Sequence, residues 1–161
     1  MKEKLLGKTF AEIQTIVKEN SLPTYTAKQI TEWIYKKNCK EIAEMSNISL
    51  KNRNLLAEKY EVGIEDAVKR QISVDGTIKY LFKIKNEHFI EAENIPDKDR
   101  ATLCVSSQIG CKMNCLFCMT GKQGFSGNLS TNEILNQLQA IPEKEKITNI
   151  VFMGMGEPLD N

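Results

Sequence analysis

Apolar positions recur at helical spacing through the first third of the chain. Phe10, Ile13, Ile16 and Val17 share a face behind Thr9-Phe-Ala-Glu12, a capping box. After the break at "NSLPTY", Thr26-Ala-Lys-Gln29 reads as a second box, with Ile30, Trp33 and Ile34 on the inward face. Shorter helices are predicted over 41–45 and 50–60, with Gly63 as the stop. The period then changes. "AVKRQISVDGTIKYLFKIKNEHFIEAENI" is rich in β-branched and aromatic residues. Asp75-Gly76 signals a two-residue hairpin and Asn86-Glu87 a second turn, which predicts a three-stranded antiparallel meander. Beyond residue 100, strand and helix alternate. "ATLCVSS" reads as a short buried strand. Ser130-Thr-Asn-Glu133 caps a helix through Leu138 that Pro142 halts, and "ITNIVFM" is a second strand. Strand, loop, helix and strand make one βαβ unit of a parallel sheet. Three segments are expected: helical over 1–62, a β-meander linking segment over 63–99, and α/β over 100–161.

Composition changes this picture little. The 161 residues are 41% hydrophobic and 27% charged, ordinary for a globular chain. No stretch approaches the roughly 18 apolar residues of a membrane span, and "MKEKLLGKTF" lacks the apolar core of a signal peptide. A cytoplasmic protein is expected. Net charge is +1, but residues 1–60 carry 11 Lys and Arg against 7 Asp and Glu, and the remainder 11 against 14. A mildly basic front half fits a nucleic-acid-facing surface as well as a solvated helical one. His88, the single histidine, sits beside a turn and reads as an exposed strand residue.

Five cysteines, an odd number, point to metal or redox chemistry rather than a disulfide framework. Cys39 reads as a small apolar residue at the end of the second helix. Cys111, Cys115 and Cys118 form a C-x3-C-x2-C loop in "GCKMNCLFCMTG". Thiolates suit soft and borderline metals. A four-thiolate zinc site could recruit Cys104, although a zinc ribbon pairs two C-x2-C knuckles and only one is present. A cubane iron–sulfur cluster matches better: each thiolate takes a corner iron and the fourth iron stays open for a small ligand. The loop follows the carboxyl end of a buried strand, where α/β folds place their sites. "GMGEP" follows the next strand. Its glycines allow close backbone approach, and Glu157 can accept hydrogen bonds from an amine.

These residues resemble the radical S-adenosylmethionine superfamily. "RATLCVSSQIGCKMNCLFCMTG", "NLSTNEI" and "TNIVFMGMGEPLDN" resemble more closely the dual-specificity adenine-C2 methyltransferases of 23S ribosomal RNA and tRNA, the RlmN family, as do "LPTYTAKQITEWIYKK" and "TIKYLFKI". The resemblance implies an α+β N-terminal part, an RNA-binding helical domain plus the antiparallel meander, followed by the start of an α/β partial TIM barrel. It implies a [4Fe–4S] cluster on Cys111, Cys115 and Cys118, and S-adenosylmethionine bound with its amine at Gly156 and Glu157. It further implies Glu91 as proton acceptor and Cys104 as the thiol that closes a disulfide with a methyl-carrying cysteine to release product. A radical route suits the target, because carbon 2 of adenine is electron-poor and resists ordinary methyl transfer. The implied partners are 23S rRNA, tRNA and an electron donor such as flavodoxin, with the enzyme a cytoplasmic monomer.

The chain departs from that pattern at its end. A barrel domain takes about 200 residues or more, and here two barrel strands precede the end at "GEPLDN". The methyl-carrying cysteine and the other cofactor contacts have no counterpart, so an N-terminal portion without activity of its own is expected. Gly127 stands where many relatives carry a basic residue. The competing readings are an adenine-C8 methyltransferase of the same class, a non-catalytic RNA-binding fragment, and a structural zinc module.

Overall fold

The computed structural model describes residues 2–161, apart from the side chain of Asn86. Compact contacts divide the chain between Ile64 and Glu65 into two units.

The first unit is mostly helical. Helix α1 (Phe10–Glu19) begins with the capping box: the Thr9 hydroxyl accepts from the Glu12 N–H, and the Glu12 carboxylate accepts from the Thr9 N–H at 2.6 Å. Helix α2 (Thr26–Tyr35) starts differently from expectation. Tyr25 is its N-cap and makes no side-chain cap. Thr26 is already helical and buried, and Gln29 donates instead to the Asn47 carbonyl. Pro23 explains the shift, because its carbonyl accepts the Thr26 N–H and starts the first turn early. Trp33 is half-buried and donates to Asn47 Oδ1. A short 3₁₀ turn (Ile42–Glu44) precedes α3 (Leu50–Lys59). Gly63 does not end α3. The chain becomes extended at Tyr60, where β2 (Tyr60–Glu61) pairs in parallel with β1 (Glu3–Lys4). Leu5, Ile13, Ala27, Ile30, Ile34, Met45 and Leu56 are fully buried. Cys39 is buried as well, and burial pushes its thiol up to about 11, in keeping with an apolar packing role.

The second unit is built on a five-stranded sheet of order β3-β4-β5-β6-β9: β3 (Lys69–Ile72), β4 (Ile78–Lys83), β5 (Phe89–Asp97), β6 (Arg100–Cys104) and β9 (Asn149–Val151). The meander and the following segment are therefore one sheet rather than a linker and a separate domain. Strand β5 runs to Asp97, turns, and pairs antiparallel with β6. The β3–β4 hairpin is not the two-residue type. Gly76 N–H bonds Ser73 O and Ser73 N–H bonds Thr77 O, so a four-residue turn ends on Gly76 at φ +86°, a left-handed position. The expected βαβ unit is present, with β6 and β9 parallel and α5 (Thr131–Gln139) between them, opened by the Ser130–Glu133 box. Period-two alternation sets the two faces of the sheet. Tyr80, Phe82, Ile90, Ala92 and Leu103 pack with Val105, Leu129 and Ile141 in the core. Lys79, Glu91 and Glu93 lie on the opposite, open face. No helix among the described residues is long and apolar enough to cross a membrane.

Candidate functional site

The open face of β5 and β6 carries the chemistry. Glu93 is opposite Cys104 in the β5–β6 register and opposite Lys79 in the β4–β5 register, so Lys79, Glu93 and Cys104 form one row across three strands. Glu91 lies two residues along on the same face. Lys79 Nζ bridges the two carboxylates, 3.0 Å from Glu93 and 3.1 Å from Glu91. These bonds hold the lysine's pKa above its ordinary value, Glu93 contributing most. Cys104 is 9% exposed; burial pushes its thiol up, and the Glu93 carboxylate adds to the effect.

The cysteine loop hangs between β7 (Gln108–Gly110) and α4 (Met119–Lys122), with β8 (Phe125–Asn128) returning antiparallel to β7. Neither this hairpin nor α4 was apparent in the sequence. The Cys111 N–H is tied to Gly124 O and the Cys118 N–H to Cys115 O, each at 3.0 Å. Cys115 is exposed, whereas Cys111 and Cys118 are partly covered. Cys118 is the N-cap of α4, where the Gly121 N–H, with help from Thr120, lowers its thiol pKa.

A cavity of about 230 Å³ brings several candidates together: Glu91, Glu93, Cys104 and Cys118 line it, with Thr120 and the Met153–Met155 stretch of the glycine-rich turn. Cys111 and Cys115 are not among its lining residues. Gly156 and Glu157 lie just beyond it. The Glu157 carboxylate accepts from the Leu159 N–H at 3.0 Å and caps the closing 3₁₀ turn (Pro158–Asp160). Ser106, which no sequence motif marks, joins the parts: its hydroxyl donates to Glu91 O at 2.6 Å and accepts from the Met155 N–H at 2.9 Å. Gln137, fully buried on α5, grips the Ser106 backbone through both N–H and carbonyl.

Residues 3–62 match the family model described as the ribosomal RNA large subunit methyltransferase N-terminal domain, and residues 105–161 match the radical SAM superfamily. The chain is 62% identical over 160 residues to a probable dual-specificity RNA methyltransferase RlmN of Phocaeicola vulgatus, covering 99% of this chain and 46% of that protein. The RlmN of Bacteroides fragilis is 58% identical over 157 residues, covering 98% and 46%. Along nearly its whole length the chain is similar to the N-terminal half of RlmN proteins. A crystal structure of a radical SAM methyltransferase from Sphaerobacter thermophilus superposes with a TM-score of 0.90 at 34% identity, covering 99% of this chain and 48% of that one. The chain thus spans about half the length of the RlmN relatives it matches.

The donor set suits an iron–sulfur cluster: three thiols on one loop, each free, are soft ligands in a connected stretch. Among the described residues, however, no group of three or more His, Cys, Asp or Glu side chains converges to hold a metal ion. Cluster binding there would have to draw Cys111, Cys115 and Cys118 closer together. The thiol environments predict an order of alkylation on the folded chain near neutral pH. Only thiolate reacts, and its fraction rises as pKa falls. Cys118 is expected to be labelled well before Cys104, and Cys39 last. Peptide mapping against time checks this order; labelling of Cys39 before Cys118 contradicts it.

Proposed function

We propose that the protein to which this chain contributes methylates carbon 2 of adenine in 23S rRNA and in tRNA. The observation that carries the reading is the shared cavity, in which Glu91, Cys104 and a cysteine of the C-x3-C-x2-C loop meet the glycine-rich turn. Cys111, Cys115 and Cys118 would hold a [4Fe–4S] cluster, which when bound supplies the electron for reductive cleavage of S-adenosylmethionine. Gly156 and Glu157 receive the cofactor's amine. Glu91 accepts the proton lost from the adenine carbon, and the Lys79 ammonium keeps its carboxylate turned into the row. Cys104 offers its thiol to a methyl-carrying cysteine elsewhere in the protein, and the disulfide so formed frees the product. Burial keeps that thiol protonated until needed. The helical unit contacts the RNA, with exposed Lys28, Lys36 and Lys37 on and beside α2 meeting phosphates. The enzyme acts as a cytoplasmic monomer and draws electrons from a flavodoxin-like donor.

The test is methyl transfer from deuterium-labelled S-adenosylmethionine to a hairpin RNA under anaerobic reduction, read by mass spectrometry of the nucleosides. Label at adenine carbon 2, abolished in Glu91→Gln, is the expected result; the 161-residue chain alone should transfer none. Label at carbon 8, or none from the complete protein, overturns the reading.

A further inference from the structure

Gln108 is fully buried and uses every hydrogen-bonding group of its side-chain amide. Its Oε1 accepts the Glu157 N–H at 2.9 Å, while Nε2 donates to Asn128 Oδ1 at 3.0 Å and to Asp160 Oδ2 at 2.9 Å. The same Asp160 oxygen takes Lys112 Nζ at 2.8 Å. Lys112 follows Cys111 directly, and its ammonium lies 4.4 Å from the centroid of the Phe125 ring. Gly156 completes the fit. A Cβ there would fall 2.6–2.8 Å from Gln108 atoms, and its φ of +103° disfavours any side chain. A continuous line of contacts therefore runs from the cysteine loop through Lys112, Asp160 and Gln108 to the backbone of the glycine-rich turn.

We propose that Lys112, Asp160 and Gln108 are positioning residues that clamp the cysteine loop to the Gly156–Glu157 turn, so that ordering one orders the other. This rests on the reading above, in which loop and turn grip the same small cofactor and must keep a fixed separation. A lone exposed ion pair would hold little. Here the carboxylate is shared with a buried amide, and polar groups linked in this way support one another beyond their separate pairs. None of the three need touch the reacting atoms; each acts through Glu157 or Cys111.

Hydrogen exchange on the metal-free 161-residue chain, followed by NMR, tests the clamp. The amides to watch are Cys111, bonded to Gly124 O, and Glu157, bonded to Gln108. The Val105 amide, bonded to Val151 O in the sheet, is the reference. Lys112→Ala should speed exchange at Glu157 about threefold, the size expected for a surface ion pair, although the two residues are joined only through Asp160 and Gln108. Asp160→Ala should do the same at both amides. The double variant should be no faster than the quicker single one. The reference should stay within error throughout. Unchanged exchange at Glu157 in Lys112→Ala, or additive effects, overturns the clamp. Failure of the cofactor reading shows separately, as absence of iron uptake by the unaltered chain.

Discussion

Replacing Cys111, Cys115 or Cys118 by Ala is expected to abolish iron retention after anaerobic reconstitution, while Cys104→Ala retains it. In the proposed cubane each loop thiolate would take its own corner iron, so losing one would leave that iron without a protein ligand. The loop is also open to solvent and lightly tied. Its tip is solvent-exposed, and the backbone ties noted at Cys111 and Cys118 are single hydrogen bonds. Cys104 has neither property. Strand β6 is paired on both sides, with Glu93 and Val151 opposite this residue, so its thiol cannot follow the loop. Burial and the Glu93 carboxylate also keep it protonated, which disfavours ligation. In the complete protein, Cys104→Ala should instead leave RNA covalently attached, visible on a denaturing gel, because no thiol remains to form the releasing disulfide. Iron analysis and the gel together separate the two classes. If Cys104→Ala lost its iron as fully as Cys115→Ala, a four-thiolate site would replace the radical reading.

Much of this arrangement was legible in the sequence, and the failures have local causes. The Thr9 and Ser130 boxes form as the motif predicts, each hydroxyl accepting from the N–H three residues on. The Thr26 box does not form, because Pro23 starts the turn upstream and Asn47 takes the Gln29 amide. The Asp75-Gly76 dipeptide marked a turn correctly but not its length. Asp75 Oδ1 accepts from the Thr77 N–H at 3.0 Å, which stabilises the longer turn. At the site, the residue types and spacing of the cysteines were plain. Ser106, Gln108 and Gln137 were invisible, since buried amides and hydroxyls show no periodicity and gain meaning only from partners distant in sequence, 31 residues away for Ser106 and Gln137. The β7–β8 pairing was hidden for a similar reason: β7 has three residues and β8 four, too few to display alternation.

Gly110→Ala is expected to collapse the cysteine loop and remove iron uptake as completely as loss of a ligand. Gly110 closes β7 at a register irregularity with φ +75°, the left-handed region. For a residue with a Cβ that conformation alone costs about 1–2 kcal/mol. A Cβ would also sit 1.7 Å from Gly124 O and 2.8 Å from its carbonyl carbon. These are backbone atoms, so no rotamer change relieves the overlap, and overpacking of this kind adds about 1–3 kcal/mol or more. The cheaper escape is to break the Cys111 N–H bond to Gly124 O and open the β7–β8 hairpin, which frees the loop carrying all three thiols. Gly124→Ala is the matched control. It shares the positive φ, at +79°, but an added Cβ meets nothing within 4 Å, so strain acts without overlap. Iron uptake after reconstitution and the thermal midpoint should fall steeply in Gly110→Ala and only slightly in Gly124→Ala. Equal losses in both would mean that backbone strain dominates and that the close approach of Gly110 to Gly124 does not shape the loop.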